Sequence, residues 1–322
     1  MLPKELLAEV RKIEIKTRHL VDSVYAGGYR SVFKGRGIEF AGIREYYRGD
    51  EFRAIDWKVT ARTGDLHVRE HIEERELQVV VALDLSASMA FGSGLREKRE
   101  TAVEFGAAMT LAAARNNDRV GICLFTDQVE KFIPPAKGPT HNLRLIRELL
   151  YFLPAHQQSD VRPALSFLNR SLGRRSVVFL VTDAIDLPPM ERELRISAAR
   201  HDLILVTVRD RREEEIPDIG LVEIEDPETG EEFLWDTAVP AVREGFQRTE
   251  QEARARLMAL CRRLGIDVIA LTAGESVIDP ICRLFAARER RQAGIAGGGG
   301  GLGARSAAAA SPSGRPGGRD SP

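Results

Sequence analysis

The chain has 322 residues, 43% of them apolar, enough core for one large α/β domain with additions or two modest domains. Lys and Arg total 47 against 48 Asp and Glu, and a net charge of −1 gives no general electrostatic case for nucleic acid. Cys123, Cys261 and Cys282 are odd in number and far apart, which argues against a disulfide frame or paired metal spacing and for reduced core thiols in a cytoplasmic protein. No apolar run approaches a membrane span, and the amino terminus is too charged throughout to be a signal peptide.

From the amino terminus, Leu6, Leu7, Val10, Ile13, Leu20 and Val24 recur at helical spacing and predict an amphipathic helix over Pro3 to Val24, ended by Gly27 and Gly28. Residues 29–75 are non-periodic and mix aromatics with arginines and acids. Short strands and turns joined by Arg–carboxylate pairs are expected, with Arg44, Arg53 and Asp56 as candidates, packed on the main domain rather than standing alone. Gly35, Gly37 and Gly42 lack the flanking strand, helix and spacing of a phosphate loop. His67 and His71 are four residues apart, as zinc ligands on a helix would be, but lie in an extended segment where that spacing holds them far apart.

The chain is organised around Leu77 to Ser88, LQVVVALDLSAS. Val79 to Leu83 is uniformly apolar, as suits a parallel strand covered on both faces, and Asp84 then falls at the carboxyl end, where open α/β sheets place their sites. Asp84, Ser86 and Ser88, two apart, let one carboxylate and two hydroxyls converge, an oxygen set suited to magnesium. The plainer alternative is a polar strand-to-helix turn with a serine capping the next helix.

A helix over Arg96 to Arg115 and a second buried strand, Val120 to Phe125, follow. Val129 to Ile133 is expected to return as an antiparallel edge strand stopped by Pro134 and Pro135. Helices over Asn142–Phe152 and Arg162–Leu172 are separated by AHQQSDV, and a third buried strand, Ser176 to Val181, ends at Thr182 and Asp183. Adjacent parallel strands would bring Asp84 and Asp183 within reach of one ion, although two aspartates could equally be helix caps. Leu203–Val208 and Ile266–Leu271 make about five parallel strands. Residues 211–240 interrupt the rhythm with an acidic insertion resembling a hairpin turning at Glu228 to Gly230. Helices over Val242–Leu264 and Ser276–Arg291 precede a Gly- and Ala-rich tail with little to bury. The expected organisation is 1–75 as an N-terminal helix and accessory segment, 76–292 as the α/β domain and 293–322 as a disordered tail.

Asp84-x-Ser86-x-Ser88, the Ser159–Asp160 pair and the Thr182–Asp183 pair, in this order of elements, resemble a von Willebrand factor A domain with its metal-ion-dependent adhesion site. That resemblance implies a doubly wound, mostly parallel sheet flanked by helices, and a magnesium or manganese ion held by Asp84, Ser86, Ser88, Ser159 and Asp183. Ser159 stands where the family usually has threonine, keeping the hydroxyl and losing the methyl. The stretch GRGIEFAGIREYYRGDEFRAIDWKVTAR, Gly35 to Arg62, and its continuation to Phe125 through DLSASMAFGSGLREKR and DRVGICLF resemble the bacterial family called domain of unknown function 58. What that implies is a cytosolic von Willebrand A-like protein acting with a MoxR-type AAA+ ATPase, or with a client of it, in maturation or chaperone-like assembly.

Three functions compete. The first is a binding module in which a partner carboxylate completes the metal shell. The second is a metal-dependent hydrolase, which needs a positioned base and more carboxylates than the sequence offers; there is no Gly-x-Ser-x-Gly elbow at Ser86 or Ser88 and no Walker loop. The third is a degenerate scaffold without metal.

Overall fold

The computed structural model describes residues 39–297, apart from 48, 49, 51, 73–75, 95 and 184–189. The helix expected over Pro3 to Val24, the glycines at 27, 28, 35 and 37, and the chain after 297 lie outside the described residues.

In chain order, β1 (Glu39–Glu45), a 3-10 turn (Phe52–Ala54), α1 (Trp57–Thr63) and β2 (His67–Ile72) come first. β1 and β2 pair antiparallel, and among the described residues of this small unit Ile55 and Val68 are buried. The α1 helix was not expected. Its local cause is capping: Asp56 accepts hydrogen bonds from the backbone N–H groups of Lys58 and Val59, and Gly64 closes it at φ 89°. Arg44 does pair with a carboxylate, that of Asp50, at 2.7 Å and 2.8 Å. Tyr47, Phe52 and Trp57, expected to pack on the main domain, are exposed. The side chain of Arg53 lies outside the described set.

The main domain then runs β3 (Gln78–Asp84), a 3-10 turn (Ala87–Ala90), α2 (Lys98–Arg115), β4 (Arg119–Phe125), β5 (Val129–Ala136), α3 (Pro139–Tyr151), α4 (Val161–Ser171), β6 (Val177–Thr182), α5 (Glu191–Arg200) and β7 (Asp202–Arg209). It continues through α6 (Arg211–Glu214), the β8 (Leu221–Glu225) and β9 (Glu232–Asp236) hairpin, α7 (Pro240–Leu264), β10 (Asp267–Thr272) and α8 (Ile278–Gly297). α8 extends past Arg291, where the sequence suggested its end.

Six strands form one sheet in the order β10-β7-β6-β3-β4-β5. The first five are parallel and β5 is antiparallel at the edge. Alternate residues of β3 face opposite layers: Val79, Val81 and Leu83 meet α2, α3 and α8, while Val80 and Ala82 meet α4, α5 and α7. All five are wholly buried, and burial of a large apolar side chain contributes about 1.5–3 kcal/mol. Phe105 and Phe179 interlock edge-to-face across the first layer at 5.6 Å, as Phe132 and Phe167 do in the second at 5.0 Å.

Pro134 and Pro135 do not stop β5; the strand continues through them to Ala136. Proline is compatible with an outer strand because the missing N–H removes no interior ladder bond. The register slips between Val120 and Ile122, and Gly121 permits this close approach, since a Cβ there would lie 2.7 Å from the Ile133 carbonyl and 2.8 Å from the Pro135 nitrogen.

From β3 the chain first turns to β4 on one side and later returns to β6 on the other. The reversal leaves a crevice beyond the carboxyl ends of β3 and β6, the position at which open α/β sheets hold ligands.

Candidate functional site

Register places the site. Leu83 pairs with Val181, so Asp84 ends β3 beside Thr182, and Asp183 follows at once. Asp84 is wholly buried and accepts three strong hydrogen bonds. The Ser86 N–H donates to Oδ1 at 2.9 Å, and the hydroxyls of Ser159 and Thr182 donate to Oδ2 at 2.9 Å and 2.8 Å. Three chain segments therefore meet on one carboxylate.

Ser86 and Ser88 flank the start of the 3-10 turn, both buried, with their hydroxyls 3.1 Å apart. The loop before α4 is pinned to the same place. The Gln157 carbonyl accepts the Ala87 N–H at 2.7 Å, the Asp160 N–H donates to the Thr126 carbonyl at 3.1 Å, and Asp160 caps α4 through the Arg162 N–H. Glu130 on β5 steadies this loop by accepting the Ala155 and His156 N–H groups at 3.3 Å and 3.1 Å. Ser159 is thereby presented to Asp84.

Electrostatics make the crevice unusual. Burial, with the neighbouring charge of Asp183 second, pushes the Asp84 carboxyl up to about 6. Asp183 is met by Lys98 at 2.9 Å, a lysine that is wholly buried at the start of α2. The same ammonium contacts Glu213 of α6 and lies 5.9 Å from the centre of the Phe91 ring. Glu213 is the third residue of a capping box whose cap, Asp210, accepts the Ser93 N–H at 2.9 Å, and so α6 is tied to the loop after β3.

A further carboxylate arrives from the hairpin. Glu228 accepts the Ser159 N–H at 3.2 Å. Burial raises its carboxyl above the ordinary range, and the Asp183 charge adds to this.

Asp84, Ser86, Ser88 and Ser159 are thus joined by direct contacts, with Asp183 adjacent. Lys98, Glu213 and Glu228 were not read as site residues. A charge at a helix start reads as solvated, and only the Asp210-x-x-Glu213 capping spacing carried a local signal. The donors are hard oxygens throughout, the chemistry that suits magnesium or manganese rather than zinc or copper. Among the described residues no group of three or more His, Cys, Asp or Glu side chains is placed to hold a metal ion; the converging set consists of two aspartates and hydroxyls. His67 lies on extended β2, with its Nδ1 2.7 Å from the Asp65 carbonyl. The three cysteines are free, and burial pushes the Cys123 and Cys261 thiols up to about 12 and about 11. No helix among the described residues is long and apolar enough to cross a membrane.

Residues 42–256 match the family described as "Protein of unknown function DUF58". The uncharacterized protein Mb1516 of Mycobacterium bovis is 32% identical over 290 residues, 89% of this chain and 90% of that protein. The uncharacterized protein YeaD of Bacillus subtilis is 26% identical over 164 residues, 51% of this chain and 37% of that protein. Among solved structures, the conserved hypothetical protein BatB from Bacteroides thetaiotaomicron superposes with a TM-score of 0.45 at 15% identity, covering 66% of this chain and 99% of that one.

Proposed function

The chain belongs to the DUF58 family, whose function is unknown, and on that premise we propose that it is a metal-dependent protein-binding module of von Willebrand A type. Asp84, Ser86, Ser88, Ser159 and Asp183 would hold magnesium or manganese at the crevice. Such an ion, when bound, supplies an open coordination position for a carboxylate of a partner protein. The observation that carries this reading is the Asp84 carboxylate, wholly buried yet reached by hydroxyls or N–H groups from three chain segments. A buried carboxylate beside a second one is costly unless positive charge joins them. The partner implied by the family resemblance is a MoxR-type AAA+ ATPase or its client, met in the cytoplasm.

Calorimetry with magnesium and with manganese tests the ion: binding by wild type and its loss in Asp84→Ala support the reading, and equal behaviour of the two sinks it. A pull-down of the ATPase, repeated with chelator and with Asp84→Ala, tests the partner. Retention in all three conditions would mean an interface independent of the ion.

One observation favours a second reading. Lys98, paired with Asp183 at 2.9 Å, places an ammonium among the carboxylates, and the crevice would then be a scaffold balanced by lysine without metal. Wild type indifferent to both ions would select it.

A further inference from the structure

The β8–β9 hairpin is fastened at its base. Trp235 meets Phe246 of α7 edge-on at 5.6 Å. The wholly buried Thr237 donates its hydroxyl to the Gly220 carbonyl at 2.6 Å and accepts the Ile219 N–H at 3.1 Å. Between base and tip, Leu221 and Leu234 are exposed.

The tip is shaped by its own residues. Asp226 accepts the Glu228 N–H at 2.9 Å and the Thr229 hydroxyl at 2.8 Å. Gly230 closes the turn at φ 73°, a conformation glycine takes at little cost, and its N–H bonds the Asp226 carbonyl at 2.8 Å. This turn sets Glu228, half-buried, against the Ser159 N–H at the rim of the crevice. An acid is therefore held over Asp84 and Asp183, against the sign of their charge. Among the described residues these three carboxylates do not form one metal-binding group; Glu228 is held instead by the Ser159 N–H, the residue whose hydroxyl reaches Asp84.

We infer that the hairpin tip is an in-chain occupant of the site: Glu228 stands where a partner's acidic side chain would enter, and a partner binds by displacing it. The inference rests on the reading of the crevice as an ion-dependent carboxylate receptor. It also names the class of ligand. The occupant is a glutamate on a tight turn with Asp226, Glu231 and Glu232 close by in sequence, and the partner's epitope is an acidic turn of the same kind. A base held by Trp235 and Thr237 and a tip held by Glu228 allow the tip to leave while the base stays anchored.

The test uses the full chain and a fluorescein-labelled synthetic peptide carrying residues 221–236, in saturating magnesium. An attached tip competes at high effective concentration, so only the open fraction of wild type can take the peptide. Glu228→Gln and Glu228→Ala are expected to bind it about tenfold or more tightly than wild type, and chelator is expected to remove that binding. Equal affinity for wild type and both variants, or no binding by either variant, overturns the inference. Manganese titration of the same samples separates the two failures. Manganese bound by wild type and lost in Asp84→Asn, with a peptide indifferent to Glu228, overturns the hairpin alone; no manganese bound by wild type overturns the ion site and the inference with it.

Discussion

The Lys98 ammonium lies 2.9 Å from Asp183 Oδ2, with the lysine side chain wholly buried and the aspartate nearly so. Glu213 is the second anion on the same ammonium. Removing the cation would strand two carboxylates away from water, which costs much more than the pair itself contributes. Lys98→Met is therefore expected to lose about 3–5 kcal/mol in denaturant unfolding. Magnesium should restore more stability to the variant than it adds to wild type, because the stranded aspartate gains most from a new cation. A variant as stable as wild type would show that the ammonium is not needed to balance these acids.

Asp84→Asn separates the ion from the fold. Burial and the Asp183 charge disfavour the ionised form of Asp84, while the neutral amide keeps an acceptor for the Ser86 N–H and the hydroxyls of Ser159 and Thr182 can reorient. Without divalent ion, the variant should melt at or above the wild-type temperature. With magnesium, wild type should gain and the variant should not. A thermal-shift series in both conditions checks this, and a variant that melts far below wild type in chelator would show the carboxylate to be a net stabilising group on its own.

Gly121 is a backbone contact rather than a turn. A Cβ at this position would meet the Ile133 carbonyl at 2.7 Å and the Pro135 nitrogen at 2.8 Å, atoms that cannot move without shifting β5. Gly121→Ala should cost about 1–3 kcal/mol. Chemical denaturation reads the loss, and a change within error would mean that the edge strand yields freely.

His201 supplies a pH dependence away from the site. Burial, then the charges of Arg200 and Arg175, lowers its imidazole from 6.5 to about 4. Its Nδ1 accepts the Ser176 N–H at 3.4 Å, so the proton of the neutral ring sits on Nε2, a buried atom with no hydrogen-bond partner among the described residues. The unfolded chain takes up a proton as pH falls below 6.5 while the folded chain resists until about 4. Stability from this group is complete above that window and lost through it, by about 3 kcal/mol in all. Asp84, raised in the folded state, works in the opposite direction over part of the same range, so the measurement is a difference. Unfolding free energies of wild type and His201→Gln, compared above pH 6.5 and near pH 4, should converge as pH falls; parallel loss would refute the assignment.

The sheet was legible because its strands are unbroken β-branched runs, and burial on both faces is what such runs record. Asp84 and Asp183 were legible for the same reason, as the first charges after those runs. What could not be read locally was Lys98, since its burial among acids exists only once Asp183 at the end of β6 and Glu213 after β7 meet its ammonium. The α1 helix was hidden by its length and its Val59, Thr60 and Thr63, residues of modest helix propensity, and is set by the cap at Asp56. Pro134 and Pro135 read as a stop and are instead part of an outer strand, because the rule against proline applies to interior ladders. Glu228 was placed in its turn, but a hairpin's direction over the sheet is a property of the whole fold.

The hydrogen bond between Thr182 and Asp84 spans 98 positions of chain. A contact of that separation costs more closure entropy than the local pairing of β3 with α2 and β4, and it cannot form before β6 has docked. The charged crevice is thus a late event in folding. Substitutions at Asp84 should act on how fast the native protein opens rather than on how fast it forms. A chain still emerging from the ribosome, with β6 unmade, carries Asp84 as an ordinary solvated carboxylate, and the cost of burying it falls only on the finished molecule.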